Sequence, residues 1–314
     1  MTDQPGSSFL SPAPAPASQS FVERNNISPV LFALVLLLIV FVGYQLVGGL
    51  LTLIFVGARV TEENVMLHRL FTMGGQILFM FIPTLVFARL LDLQFSRVFP
   101  WRLPKMGETL FAVLSLFFLQ EVLQIYLVFQ DLIPLPEELK QIIDPAKQLV
   151  EETFRLILSS QSVPELLFVV LVVGVTPGIV EEMLFRGLVQ SCFERSTSAI
   201  LAAFWSGLIF AIFHLNPFSV IPLIALGVFF GMLRARSRSM LLAMTIHFLN
   251  NALAVIVTHF KIDEQLVAGA EKGGEANIPM LLGQLVLSGG LFALTFSWYM
   301  RLTQTSVPDE EQKA

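Results

Sequence analysis

Three charges stand close together inside an otherwise apolar run, Glu181-Glu182-Met-Leu-Phe-Arg186. On a helix Glu182 and Arg186, four apart, meet on one face, while Glu181 is turned about 100° away. That spacing divides the labour. Glu182–Arg186 reads as a structural clamp and Glu181 as a working carboxylate, suited to general-base chemistry. Phe210 and His214 are again four apart on a later apolar stretch. His247 and Asn251 share one face of another, and Asn250 could substitute for Asn251 geometrically. An imidazole and a carboxamide can both donate hydrogen bonds to a developing oxyanion. Singly, each group has a plainer reading as a charged helix end, an interfacial histidine or polar glue between helices. On three separate apolar helices, the set is hard to explain as packing.

The elements that must position these groups lie in a membrane. From Leu166 to Val180 there is no charge. At ~1.5 Å per residue this stretch covers roughly 22 Å of helix, less than the ~30 Å hydrocarbon core, so both glutamates fall at membrane depth. Carboxylates there face a polar cavity or a partner. Of the 314 residues, 55% are hydrophobic and 14% charged, too few charges for an ordinary soluble domain. The net charge of −5 comes with no basic tract, which argues against a nucleic-acid partner. One cysteine, Cys192, permits no intrachain disulfide.

The predicted fold is all-α, a polytopic bundle of about eight transmembrane helices, near 30–57, 70–88, 109–129, 164–193, 198–215, 218–233, 239–259 and 279–300. Residues 1–28, rich in Pro, Ala and Ser, read as a disordered polar tail. Residues 29–303 form the membrane domain and 304–314 a polar C-terminal tail. The first apolar run is too long for a signal-peptide core, so a retained helix is expected. Pro83 suggests a kink, and Pro177-Gly178 loosens the helix one turn before Glu181. An amphipathic helix around 146–158 is expected to lie on the membrane surface. Gly227 and Gly231 form a small face for close helix packing. Glu121, in a polar stretch of the third span, is a further candidate for the bundle interior. His68 and His259 read as interfacial. A polar loop holding Glu271-Lys272-Gly273-Gly274 precedes the last span.

Eight spans put both termini on one side. That side holds Arg24; Arg89, Arg97, Arg102 and Lys105; Arg186 and Arg195; Arg234, Arg236 and Arg238; Arg301 and Lys313, twelve in all. The other side holds Arg59, Arg69, Lys140, Lys147, Arg155, Lys261 and Lys272, which is seven. The bias favours cytoplasmic termini in a multi-pass protein of the cytoplasmic membrane.

Glu181-Glu182-xxx-Arg186, Phe210-xxx-His214 and His247-xxx-Asn251 together resemble the three motifs of the CPBP intramembrane proteases, the CAAX prenyl endopeptidase and bacteriocin-processing (Abi) family. The resemblance covers 164–259, including ALGVFFGMLRARSRSMLLAMTIHFLNN. It implies a CAAX-type endopeptidase that hydrolyses a peptide bond near the C-terminus or membrane-proximal region of a membrane-associated protein or peptide, prenylated or not. In that reading Glu181 is the general base, His214 helps to position the water, and His247 and Asn251 stabilise the oxyanion. Glu182, Arg186 and Phe210 orient them. No cofactor is favoured. Zinc on Glu181, His214 and His247 is the competing mechanism, although no HExxH occurs. Two rival functions are a catalytically silent scaffold or immunity protein of the same fold, and a transporter using the glutamates as a cation site.

Overall fold

The computed structural model describes residues 19–262 and 277–304, and these are helical with no strand among them. In chain order the helices are α1 (Phe21–Arg24), α2 (Pro29–Phe55), α3 (Val65–Leu91), α4 (Phe95–Val98), α5 (Met106–Asp131) and α6 (Glu137–Leu158). They continue with α7 (Val163–Glu194), α8 (Ala199–Phe213), α9 (Val220–Ser237), α10 (Met240–His259) and α11 (Ile278–Gln304). Seven helices are long and apolar enough to cross a membrane, and α8 is a shorter apolar one. The protein is a multi-pass membrane bundle.

Local chemistry sets the helix ends. Ser162, Ser198 and Ser239 accept hydrogen bonds from the backbone N–H groups of Glu165, Leu201 and Leu242, capping α7, α8 and α10. At 198 and 239 these caps sit in turns so short that successive helices must run antiparallel. Residues 92–105, the 195–198 turn and the 237–239 turn therefore gather at one end of the bundle, with α1 and the end of α11. Arg195 pairs with Asp92 at 3.0 Å, Arg102 Nε donates to the Ser237 carbonyl at 2.6 Å, and Met240 N donates to the Pro100 carbonyl at 2.9 Å. The opposite end holds α6 and the 214–219 turn. There Arg69 is buried, and its guanidinium donates to the Leu156, Ile157 and Ser159 carbonyls and to Glu165. This caps the C-terminal end of α6 and fastens it to α3 and α7.

One core cluster joins α2, α3 and α7 around Leu36, Phe99, Leu184 and Leu188; a second joins α5, α9, α10 and α11 around Leu233, Ile246 and Tyr299. The closest crossing is α8 on α9. A Cβ at Gly207 would lie 2.5 Å from Val228 N, and one at Gly227 would lie 2.7 Å from Gly207 Cα. Backbone stands on backbone there, so nothing can give way. Gly207→Ala is expected to destabilise the bundle by about 3 kcal/mol or more, because overpacking cannot be relieved by a rotamer change. An unchanged melting temperature in detergent would refute that.

Four stretches inside the long helices are wound as wider π turns, Val42–Gly48, Gln76–Phe81, Val170–Val175 and Met183–Val189. Such turns often mark functional sites.

The structure departs from the sequence expectations in several places. Residues 19–28 belong to the fold rather than to a tail. Ser20 and Glu23 form a capping box on α1, and Val22 is buried against the core; residues 1–18 lie outside the described residues. The amphipathic helix starts at Glu137, not 146, with Pro145 inside it. On an exposed helix the carbonyl freed by a proline can be hydrated, so Pro145 does not end it. The Glu271–Gly274 loop lies outside the described residues, as does the expected C-terminal tail except Gln304.

Candidate active site

The motif residues converge on one cavity of about 460 Å³, lined among others by Gln76, Glu181, Phe210, His214, His247 and Asn251. Its charged core comes from α7. Glu182 and Arg186 are fully buried, and the clamp forms across one helical turn, Arg186 to Glu182 Oε1 at 2.7 Å. Arg186 also donates to the Gly227 carbonyl at 3.0 Å, a group brought within reach by the Gly207–Gly227 crossing. Its guanidinium lies 4.4 Å from the centroid of the Phe210 ring and 5.3 Å from that of Phe230. The buried cation is thus met by a carboxylate, a carbonyl and two ring faces, while its Nε has no hydrogen-bond partner in the protein.

Glu182 has a second partner. Its Oε1 lies 2.8 Å from His247 Nδ1. Glu182 is ionised as the partner of Arg186 and can only accept, so Nδ1 carries the proton. The other ring nitrogen, Nε2, then faces Glu181 Oε2 at 4.0 Å. Phe230 stacks on the imidazole at 4.9 Å and 17°, which fixes the ring plane. Glu182 is therefore more than one half of an ion pair, since it orients a histidine on another helix.

Glu181 faces the cavity. Its Oε1 accepts from Gln76 Nε2 at 3.1 Å, while its Oε2 is buried with no hydrogen-bond partner in the protein. Gln76, on α3, was not singled out by the sequence reading. The available signal was a lone amide next to Gly74-Gly75 on a membrane helix, where unpaired amides are costly. His214 ends α8 and its Nδ1 lies 2.8 Å from the Phe210 carbonyl. A carbonyl only accepts, so here too Nδ1 carries the proton and Nε2 is left for other partners. Phe210 separates the two histidines, 4.4 Å from His214 and 5.8 Å from His247. Glu181 and His214 also line a side cavity of about 190 Å³ with Tyr44 and Gln45.

Asn251 has a structural duty that the sequence reading did not foresee. Pro177 has no N–H, so the Val173 carbonyl one turn earlier loses its helical donor. Asn251 Nδ2 supplies the replacement at 3.0 Å, and Asn251 Oδ1 accepts from Asn250 at 3.0 Å. Asn250 in turn accepts from Gln120 on α5. Glu121 is not among the cavity residues; its Oε2 accepts from Gln284 at 3.2 Å. The neighbour Gln120, one residue away on the helix, reaches the site network instead.

This arrangement separates packing from chemistry experimentally. Asn251→Ala is expected to cost about 1–2 kcal/mol by orphaning the Val173 carbonyl. Pro177→Ala restores the backbone donor, so in that background the stability cost should shrink towards zero while any catalytic loss remains. Equal stability costs in both backgrounds would contradict the assignment.

Among the described residues no three His, Cys, Asp or Glu side chains are grouped so that they could hold a metal ion.

Fold and site define a polytopic membrane protein with a buried carboxylate–histidine cavity between its helices. Residues 163–253 match the family of type II CAAX prenyl endopeptidases, Rce1-like. The matched segment runs from the start of α7 into α10 and contains all three motifs. Neither the curated proteins nor the solved structures give a match.

Proposed function

We propose that this protein is an endopeptidase that cuts a membrane-associated protein or peptide, prenylated or not, near its C-terminus or close to the membrane, using a water activated by Glu181. The observation that carries the reading is the pairing of Glu181 Oε2 with His247 Nε2, 4.0 Å apart across a cavity. An oxygen of the reacting groups fits within hydrogen-bond reach of both.

Glu181 takes a proton from water as the oxygen bonds to the peptide carbonyl carbon. The oxyanion so formed lies where His247 Nε2, when it carries a proton, and the second N–H of Asn251 can donate hydrogen bonds to it. The proton held by Glu181 passes to the amide nitrogen as the C–N bond breaks, leaving a carboxyl group and an amine. His214, through Nε2, helps to hold the water. Gln76 holds Glu181 in place, and Glu182 and Arg186 hold His247. Cytoplasmic termini in the cytoplasmic membrane complete the reading, supported by the Lys and Arg excess at that end.

The test compares peptide termini in membranes of cells expressing wild type or Glu181→Gln. New termini from membrane proteins should accumulate with wild type and be absent with the variant. Identical sets of termini would refute the proposal.

A further inference from the structure

A second space adjoins the Glu181 cavity, between α2 and α3. It has a volume of about 380 Å³ and runs from the Gly57-Ala58 turn after α2 to Tyr44. Gln45, Gly48, Gly49 and Thr52 line it from α2, and His68, Phe71, Thr72 and Gly75 line it from α3. Both sets follow the i, i+3, i+4, i+7 spacing of a single helix face. Tyr44, Gln45 and Thr52 are the polar side chains of α2, and all three line this space.

The glycines do not serve close packing here. A Cβ at Gly49 or Gly57 would meet nothing within 4 Å, and one at Gly48 nothing closer than 3.5 Å. At Gly207 and Gly227, by contrast, backbone stands on backbone. Between α2 and α3 the bare faces leave room.

The polar groups point to what that room holds. His68 is 9% exposed. Its imidazole meets the Arg59 carbonyl through one nitrogen, and Nε2 is buried with no hydrogen-bond partner in the protein. An acyl chain would leave that nitrogen unpaired at a cost in free energy, whereas water satisfies it.

The inner end reaches the chemistry. Tyr44 and Thr72 also line the Glu181 cavity, and Tyr44 and Gln45 line the side cavity of Glu181 and His214. Tyr44 is thus common to all three spaces. Its ring rests against Gly75, where a Cβ would lie 3.2 Å from it, and its hydroxyl stands by the Gln76 amide. Past Tyr44, Gln76 Oε1 and Glu181 Oε2 are two further buried atoms with no hydrogen-bond partner in the protein. The π turns Val42–Gly48 and Gln76–Phe81 pack on each other here.

We infer that the space between α2 and α3 holds water and passes it around Tyr44 to Glu181, by a route that the peptide does not occupy. The delivery role rests on the proposed hydrolysis, which consumes one water for each bond cut; the hydration of the space does not. A peptide lying in the 460 Å³ cavity displaces solvent from it. Water held between α2 and α3 stays within reach of the carboxylate.

Two measurements on the full chain test the two parts. Single cysteines are placed at Gly48→Cys, inside the space, and at Leu50→Cys, which is 55% exposed and outside it. The native Cys192 is fully buried, so the unaltered chain serves as the blank. In proteoliposomes a hydrophilic, cationic methanethiosulfonate attacks the thiolate, which forms in water and not in lipid. Leu50 is nearer the end of α2, so depth alone would favour L50C. The expected result is that G48C reacts about tenfold or more faster than L50C. Equal rates, or a faster L50C, would put lipid in the space and overturn the inference.

The second measurement follows peptide cleavage by G48C before modification, after it, and after a reductant has removed the adduct. The adduct should lower kcat about tenfold or more, change KM by less than about threefold, and lose its effect with the reductant. An unchanged kcat, or a loss carried by KM, overturns the delivery role. Cleavage that survives in Glu181→Gln would instead overturn the catalytic reading and leave the labelling result standing.

Discussion

Glu181→Gln is expected to lower kcat for peptide cleavage by about 10³-fold, within the range of a lost general base, and to leave the fold intact. The substitution keeps the volume of the side chain and one acceptor oxygen for Gln76 Nε2. It removes the lone pair that takes the proton from water in the proposed reaction. Since Glu181 is 8% exposed and its Oε2 has no donor in the protein, neutralising it also relieves the cost of burying a charge. The melting temperature in detergent is expected to hold or rise. KM should change by less than about threefold, because the side chain acts in the transition state rather than in binding. A loss confined to KM would make Glu181 a binding residue. A collapsed melting temperature would make it a structural one.

The second large effect lies five residues on. Arg186→Met leaves the fully buried Glu182 without its cation, with His247 as its remaining partner. Breaking one half of such a pair typically costs about 3–5 kcal/mol, because an uncompensated charge stays inside. The single variant should therefore melt far below wild type or fail to accumulate. Replacing both charges by apolar residues, Glu182→Leu with Arg186→Met, removes the desolvation problem and should recover most of the stability. Activity should not return, because His247 Nδ1 then has no carboxylate and the ring is free to turn. A stable and active double variant would contradict the orienting role of Glu182. A single variant as stable as wild type would contradict the clamp.

The sequence made some of this legible and hid the rest for physical reasons. Charges in an apolar run are conspicuous, and the i, i+4 rule applied to Glu182 and Arg186 gives their pairing directly. The small face of α9 is visible as Gly227 and Gly231, although only the structure shows that Gly227 meets Gly207 of α8. Contacts between helices far apart in sequence carry no such signal. That Glu182 serves His247 as well as Arg186, that Gln76 holds Glu181, and that Phe230 stacks on His247 depend on how helices rotate and cross. Asn251 was read as an oxyanion donor from its spacing to His247. Its bond to the Val173 carbonyl follows from Pro177, whose consequence for a neighbouring helix is not written in either helix alone. Helix boundaries were least legible where an amphipathic helix contains a proline, as in α6, or where a short capped turn lies next to a polar tail, as in α1.

The most direct test of glutamate-activated water is cleavage of a quenched peptide library by purified, detergent-solubilised protein. Wild type and Glu181→Gln are each assayed with and without a zinc chelator. The expected result is cleavage by wild type that survives the chelator and is absent in Glu181→Gln under both conditions. Cleavage by wild type that the chelator abolishes, or cleavage that persists in Glu181→Gln, would contradict it.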